Sequence, residues 1–162
     1  PLLTSRGQRQ PEPLRVVLSR GLRLPHQARL WDQTVASTMV FHSPGANTVV
    51  VAQLEKQGVE CVSLEPCSPR AVLEHLAKQG CNKVLWECGP ALAAAAVRGG
   101  CVQEIAAVQA PKLLGGPEAF TPLGDLQVIT MAQSLPLCKP RLERCGDDLI
   151  WRFHLDSPTA IA

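Results

Sequence analysis

Residues 83–95, KVLWECGPALAAA, join an apolar run to an alanine-rich run through a carboxylate, a glycine and a proline. Gly89 lacks a Cβ, so an anionic group such as a nucleotide phosphate could approach the backbone closely. Pro90 suits the first position of a helix, whose free amide groups at Ala91 and Leu92 would face that anion. The junction therefore predicts phosphate binding. A strand–helix turn without a ligand is the alternative, because the glycines of a G-x-G-x-x-G motif are missing.

Glu87 lies two residues before this glycine and closes the apolar run KVLW. A carboxylate at the end of a buried strand needs a polar partner or a position that faces a cleft. We therefore interpret Glu87 as a candidate contact for a polar group of a substrate. A salt bridge at the edge of the sheet is the structural alternative.

Two further groups of residues suggest ligands. Arg20, Arg23 and Arg29 cluster in one loop, where a guanidinium fork would suit a phosphate. A solvated basic loop is the alternative reading of that cluster. Pro66 and Cys67 match half of the P-C-x-x-C element of zinc nucleobase deaminases. The second cysteine and the H-x-E element are missing, so the sequence predicts no metal site.

The overall composition excludes several classes of protein. A formal net charge of +2 over 162 residues gives no electrostatic reason to expect nucleic acid or an anionic membrane as partner. The longest apolar run, 91–97, is far shorter than the roughly 20 residues of a membrane-spanning helix. Seven cysteines without a CxxC pair indicate reduced thiols in an intracellular protein. The histidines form no nucleophile–base pair with a suitable neighbour, so no catalytic side chain is assigned: His26, His42, His75 and His154.

The elements that would position these residues alternate between strand and helix. Short apolar runs predict strands at 14–18, 38–41, 59–64, 83–86, 102–109, 126–131 and 149–155. Capping and proline signals predict helices after Asn47, from Pro69 and over 91–97. Such alternation favours parallel pairing with helical crossovers, and the helix-poor C-terminal part favours an antiparallel end to the sheet.

Three stretches together resemble one known family: PLLTSR at 1–6, LRVVLSRGLRLP at 14–25 and KVLWECGPALAAAAVRGGCVQEIAAVQAPKLLGG at 83–116. They resemble the reductase domain of the RibD-type bifunctional riboflavin-biosynthesis deaminase/reductase. The resemblance implies an α/β, dihydrofolate-reductase-like fold with a mostly parallel central sheet flanked by helices and an antiparallel C-terminal end. It also implies NADPH-dependent reduction of 5-amino-6-(5-phosphoribosylamino)uracil to its ribitylamino product, by hydride transfer to C1 of the sugar.

The same resemblance implies roles for individual residues. Leu3, Arg6 and Glu87 would contact the substrate, with Arg6 as a partner for its phosphate. Arg20 falls at a cofactor-contacting position. NADPH would also bind to the segment that begins at the glycine junction, namely Gly89, Pro90, Ala91, Leu92, Ala93, Ala94 and Ala95. Cys88 stands where many members have glycine or alanine, and its thiol adds bulk beside the diphosphate.

The resemblance covers one reductase domain at 1–155, followed by a tail at 156–162. Segments that precede this point in the family are absent from the sequence, so we expect an N-terminally truncated piece of a longer chain with a fused deaminase domain. A homo-oligomer and a location in the cytoplasm or the plastid stroma are further expectations. Two other functions stay open, a non-catalytic nucleotide-binding or scaffold remnant and a pterin reductase of the same fold.

Overall fold

A computed structural model describes residues 2–25, 27–113, 115 and 121–155 of this chain. The chain falls into two compact units, Pro1–Cys81 and Asn82–Ala162. The first unit contains a parallel sheet with two α-helices, and the second contains one α-helix and an antiparallel sheet. The predicted α/β class with an antiparallel C-terminal part is confirmed. The tail predicted at 156–162 lies outside the described residues.

The parallel sheet has the order β1-β2-β3, with β1 at Arg15–Leu18, β2 at Thr38–His42 and β3 at Glu60–Ser63. Every residue of β2 is buried, as the central strand of a sheet covered on both faces requires. The strands predicted at 14–18, 38–41 and 59–64 are confirmed. Because the three strands run in the same direction, their carboxyl ends meet at one edge of the sheet.

Two helices of this unit begin at side-chain caps. Helix α1 (Thr48–Lys56) follows Asn47, whose side chain accepts hydrogen bonds from two amides of the first turn at 3.0 and 3.4 Å. Helix α2 (Pro69–Lys78) follows Ser68, whose Oγ accepts from a first-turn amide at 3.3 Å. These caps satisfy donors that have no partner inside the helix. Both predicted helix starts are confirmed.

The hydrophobic core of the first unit surrounds Trp31, which ends a short 3₁₀ helix at Arg29–Trp31. The indole Nε1 of Trp31 donates a hydrogen bond to the carbonyl of Pro25 at 2.9 Å. The polar tip of the ring is thereby satisfied while its body is buried. The buried members of this core are Leu22, Leu30, Trp31, Val40, Ala46, Leu54 and Val59.

Arg15, the first residue of β1, is fully buried. Its Nη2 donates to the carbonyls of Asp32 and Ala36, which fastens the turn before β2 to the start of β1. Its Nε and Nη1 are the only buried side-chain nitrogen or oxygen atoms without a hydrogen-bond partner in the described part of the chain. Burial lowers the pKa of Arg15, and the charge of Asp32 opposes that change.

The second unit begins with helix α3 (Pro90–Arg98), and its sheet has the order β4-β6-β5. The strands are β4 at Glu104–Gln109, β5 at Leu137–Cys145 and β6 at Asp148–Leu155, and both pairings are antiparallel. The helix predicted at 91–97 and the strands predicted at 102–109 and 149–155 are confirmed.

One face of β6 is polar, as its alternating sequence predicted. Arg152 lies at the middle of this strand and contacts a carboxylate from each neighbouring strand, Glu104 of β4 at 3.1 Å and Glu143 of β5 at 3.3 Å. On the other face, the rings of Trp151 and Phe153 stack with centroids 6.1 Å apart. The central strand therefore joins its two neighbours by charge on one face and carries stacked aromatic rings on the other.

The strand predicted at 83–86 is wrong. The segment 81–89 is irregular, and it makes no ladder with any strand of the described chain. Val84 and Trp86 are half-buried, whereas Leu85 is 79% exposed. An apolar run indicates that a segment can form a strand, but the strand exists only where a neighbour supplies the hydrogen bonds.

Two further predictions fail in the C-terminal part. The strand predicted at 126–131 is wrong, because the Gln133 side chain accepts from the amides of Ile129 and Thr130 at 3.0 Å each and draws them into a 3₁₀ turn. Strand β5 was not predicted. It contains Pro140, and its pairing with β6 is irregular between Cys138 and Arg141, where a bulge accommodates the proline.

Leu76 and Leu85 both lie in apolar stretches of the sequence, but they differ in solvent exposure in the structure. Leu76 of α2 is 1% exposed, and we expect Leu76→Ala to lower the free energy of unfolding by about 2–5 kcal/mol. Leu85→Ala is the matched control, because it removes the same atoms from an exposed site and is expected to cost no more than about 0.5 kcal/mol. Urea unfolding of both variants measures the difference. Equal losses would show that 81–89 is packed as a strand after all.

Candidate functional site

The helix start at Gly89 differs from the other two helix starts. Gly89 is the N-cap of α3 and has no side chain, so no side-chain hydrogen bond satisfies the first-turn amides. The first backbone bond of the helix runs from Ala93 N to Gly89 O at 3.0 Å. The amides of Ala91 and Leu92 precede that bond and have no hydrogen-bond partner among the described residues. Such donors, together with the positive end of the helix dipole, favour an anion.

The space in front of Gly89 is open. Its φ of −70° and ψ of 169° are available to any residue, so the backbone conformation does not require glycine. A Cβ added to Gly89 would meet no atom of a described residue within 4 Å. In the described structure, neither strain nor packing explains a glycine at this position. Close approach of a ligand to the backbone does explain it.

Gly124 packs against the same helix start and was not found by sequence reasoning. Its amide donates to the Pro90 carbonyl at 3.0 Å. A Cβ at Gly124 would lie 2.9 Å from that carbonyl oxygen, which is too close for any other residue. The contact fixes the first turn of α3. The only sequence signal was a glycine in a loop, and such a glycine has many ordinary explanations.

Glu87 and Cys88 precede the open turn. Glu87 is exposed, and the described residues include no ion pair that involves it. No observed contact therefore supports the alternative of a salt bridge at a sheet edge. Cys88 is half-buried, and burial raises the pKa of its thiol. The thiol is therefore neutral near pH 7 and places no negative charge beside an incoming phosphate.

Arg20 follows β1 at the carboxyl edge of the parallel sheet. Its Nε donates to the carbonyl of Cys67 at 3.3 Å, and its own carbonyl accepts from Ser43 N at 3.1 Å. The residue is thus held between the ends of neighbouring elements while its side chain is exposed. Arg23 and Arg29 are exposed in the described structure, as a solvated loop would have them.

Leu3 and Arg6 share an unusual backbone conformation, with φ values of 49° and 52°. Left-handed conformations of such residues are strained and concentrate at functional sites. Leu3 is half-buried against the core of the first unit, whereas Arg6 is exposed. The turn is held by Glu12, whose carboxylate accepts from Ser5 N at 2.6 Å and from a second amide at 3.4 Å.

The sequence-predicted site residues fall in both units. Leu3, Arg6 and Arg20 lie in the first unit, and Glu87 lies in the second together with the segment 89–95. Leu3 and Arg6 lie three residues apart in the N-terminal segment, and Glu87 lies directly before the open helix start. Among the described residues, no group of three His, Cys, Asp or Glu side chains could hold a metal ion. No helix of the described chain has the length and hydropathy needed to cross a membrane.

Comparison with known families matches residues 1–150 to the RibD C-terminal domain. The chain belongs to the RibD C-terminal domain family. A curated relative, the riboflavin biosynthesis protein RibD of Synechocystis sp., is 44% identical over 155 residues, which are 96% of this chain and 42% of the relative. The chain therefore spans less than half the length of that RibD protein. The sequence-based assignment to this family is confirmed.

Two further likenesses bear on the fold and the activity of the RibD family. The 2,5-diamino-6-ribosylamino-4(3H)-pyrimidinone 5′-phosphate reductase of Methanothermobacter thermautotrophicus is 30% identical over 142 residues, covering 87% of this chain and 65% of that protein. The solved structure of Acinetobacter baumannii RibD superimposes with a TM-score of 0.74 at 27% identity, covering 90% of this chain and 38% of that one. The dihydrofolate-reductase-like fold implied by the resemblance is confirmed.

The hydrogen bonds that Glu12 accepts in the turn that carries Arg6 are expected to weaken in acid. Hydrogen bonds from Ser5, above all the one from its backbone amide, lower the pKa of Glu12. Because the folded-state pKa is depressed, the contribution of Glu12 to this turn is complete above the unfolded value of 4.5 and is lost as the pH falls through the lower folded value. NMR titration of the Ser5 amide should follow this protonation, and Glu12→Gln should abolish the response. A Ser5 amide chemical shift that does not change with pH throughout the acid range would contradict the contact.

Proposed function

We propose that this chain is an NADPH-dependent reductase domain of riboflavin biosynthesis, which converts 5-amino-6-(5-phosphoribosylamino)uracil to the ribitylamino compound. The observation that carries the proposal is the open, uncapped start of α3 at Gly89 in a chain of the RibD C-terminal domain family. The name of the methanogen relative supports a reductase acting on a phosphorylated ribosylaminopyrimidine. The name of the Synechocystis relative supports a place in riboflavin synthesis, and a deaminase domain fused in the parent protein belongs to the same proposal.

The residues around Gly89 fit a dinucleotide. The free amides of Ala91 and Leu92 would donate hydrogen bonds to its diphosphate. The small alanine side chains at 93–95 would leave room for the cofactor beside the helix. Arg20 would contact the same cofactor with a guanidinium that the Cys67 carbonyl orients. When bound, the nicotinamide supplies the hydride that reduces C1 of the sugar.

The remaining roles concern the substrate. Arg6 would bind its phosphate, since a guanidinium and a phosphate make charge-assisted hydrogen bonds. Leu3 would pack against it from the same turn. Glu87 would accept a hydrogen bond from a substrate hydroxyl or amino group, which orients the sugar for hydride transfer. The chain's own contribution to the reaction is therefore to bind both partners, to orient them and to set the local charge.

Replacing Gly89 separates cofactor binding from folding. A methyl group at this position would contact no described residue within 4 Å but would occupy the path of the diphosphate, so Gly89→Ala should weaken NADPH binding about tenfold. Its free energy of unfolding should stay within about 0.5 kcal/mol of the parent protein. Tryptophan fluorescence quenching by NADPH and urea unfolding measure the two quantities.

Gly124→Ala is the contrasting variant, because its Cβ would lie 2.9 Å from the Pro90 carbonyl oxygen and should destabilise the fold. If Gly89→Ala binds NADPH as well as the parent protein does, the diphosphate does not lie at this turn. A parent protein that binds no NADPH at all would favour the scaffold function.

Replacing Glu87 tests the reaction itself. Glu87→Gln keeps the shape and removes the charge, so we expect kcat to fall at least about tenfold while NADPH affinity is unchanged. Glu74→Gln is the matched control, because Glu74 is exposed on α2. Assays with the uracil substrate, its 2,5-diamino counterpart and a dihydropterin identify the substrate class. Equal losses of turnover and NADPH affinity would remove Glu87 from the substrate site, and turnover of the dihydropterin alone would replace the proposed activity.

A further inference from the structure

Gly124 contacts a peptide group at the start of α3 rather than one of its side chains. Its amide nitrogen donates a hydrogen bond to the carbonyl oxygen of Pro90 at 3.0 Å. A Cβ built on Gly124 would lie 2.9 Å from that oxygen, 3.2 Å from the carbonyl carbon and 3.5 Å from the nitrogen of Ala91. Gly124 therefore lies against the peptide group that joins Pro90 to Ala91.

This contact sets the direction of the Ala91 amide. The peptide group is planar and this one is trans, so its carbonyl and its N–H point in opposite directions. Because Gly124 holds the carbonyl of Pro90, it also holds the N–H of Ala91 toward the opposite side. That N–H has no hydrogen-bond partner among the described residues. One end of the peptide group is thus bound by Gly124, while the other end is free for an anion.

The same contact makes the Ala91 N–H a stronger donor. A hydrogen bond accepted by a carbonyl polarises its peptide group, and chains of hydrogen bonds strengthen one another in this way. An anion bound to the N–H of Ala91 would in turn strengthen the bond between Gly124 and Pro90. The two hydrogen bonds are therefore expected to be coupled in free energy.

A second contact places the segment 121–127 along α3. The carbonyl of Asp125 accepts a hydrogen bond at 3.4 Å from Nη1 of Arg98, the last residue of the helix. The carboxylate of Asp125 accepts from the amide of Gln127 at 2.7 Å, which closes a local turn. The segment therefore contacts the helix at its first and its last residue, and Gly124 makes the contact at the first.

The reason for glycine at position 124 is its close approach to the helix. Its φ lies outside the left-handed region, so the backbone conformation does not require glycine. The distance of 2.9 Å from a Cβ to the carbonyl oxygen does require it. The residue is thus needed where the chain touches the peptide group that carries one of the two free donors.

We infer that Gly124 is a positioning residue of the cofactor site, which orients and polarises the Ala91 amide that donates to the diphosphate of NADPH. This inference rests on the proposed function, in which the amide of Ala91 binds the cofactor. Gly124 acts through the peptide group of Pro90 and Ala91. Its effect on NADPH affinity should therefore exceed what its contribution to folding explains.

The test compares two glycines at opposite ends of α3. Gly124→Ala displaces the peptide group of Pro90 and should raise the NADPH dissociation constant about tenfold, the loss of one hydrogen bond to a charged group. Gly99→Ala is the matched control, because its Cβ would lie 3.1 Å from the carbonyl oxygen of Ala95 at the far end of the helix. It should lower the stability of the fold and leave the dissociation constant unchanged. Tryptophan fluorescence measures binding at a temperature where circular dichroism shows each variant to be folded.

The outcomes that would overturn the inference differ from failure of the proposed function. If Gly124→Ala binds NADPH like the parent protein while Gly89→Ala binds it weakly, the diphosphate lies at the turn but Gly124 does not position its donor. Equal losses of affinity in Gly124→Ala and Gly99→Ala would show that helix stability controls binding, which also removes the positioning role. A parent protein that binds no NADPH ends the proposed function together with the inference.

A second measurement needs no variant. Coupling between two binding events is reciprocal, so a bond from Gly124 to Pro90 that raises NADPH affinity tenfold must itself be stabilised tenfold by bound NADPH. Hydrogen exchange of the Gly124 amide in the parent protein should therefore slow about tenfold at saturating NADPH. The reference is the Gly99 amide, which donates to the carbonyl of Ala95 at 3.0 Å at the other end of the helix. Equal changes at the two amides would contradict the positioning role.

Discussion

The helix start at Gly89 is the feature on which the functional account depends. Two other helices of this protein, α1 and α2, begin at Asn47 and Ser68, whose side chains accept hydrogen bonds from first-turn amides. Helix α3 begins at a residue without a side chain, so its first donors keep no protein partner in the described structure. Unpaired amides are costly unless water or a ligand binds them. An anion that approaches Gly89 would supply what Asn47 and Ser68 supply elsewhere.

The first unit carries polar groups at the carboxyl edge of its own sheet. Its three parallel strands end together, and the residues that follow them are Arg20, Ser43 and the segment that leads to Cys67. Backbone hydrogen bonds between these ends set the spacing of the side chains. The sheet therefore fixes the position of Arg20 more firmly than its exposed loop would suggest.

Local signals in the sequence predicted most of the elements. Asn47, Ser68 and Pro69 mark helix starts by chemistry that acts within one turn, and the short apolar runs of β1 and β2 mark strands. Such signals need no knowledge of distant residues. The open turn at Gly89 could be predicted for the same reason, because glycine followed by proline limits both the cap and the first turn. The roles assigned to Arg6 and Leu3 came from the family resemblance, whereas the role of Glu87 was also inferred from its position at the end of an apolar run. All three roles stay predictions.

Two of the errors arose where distant residues decide, and one has a local cause. The run at 83–86 has the composition of a strand, but no strand of the described chain pairs with it. The local case is the run at 126–131, where the Gln133 side chain, three to four residues further on, accepts hydrogen bonds from the amides of Ile129 and Thr130. Strand β5 contains Pro140 and several charges, and it exists because β6 pairs with it and Arg152 binds Glu143. The single domain expected over 1–155 stays a prediction beside the two compact units of the structure.

A crystal structure of the protein with bound NADPH tests the central claim most directly. The account predicts that diphosphate oxygens lie within hydrogen-bonding distance of the amide nitrogens of Ala91 and Leu92, with the cofactor passing directly over Gly89. A diphosphate bound elsewhere would contradict it, and so would a turn at Gly89 from which the Cys88 sulfur excludes the cofactor.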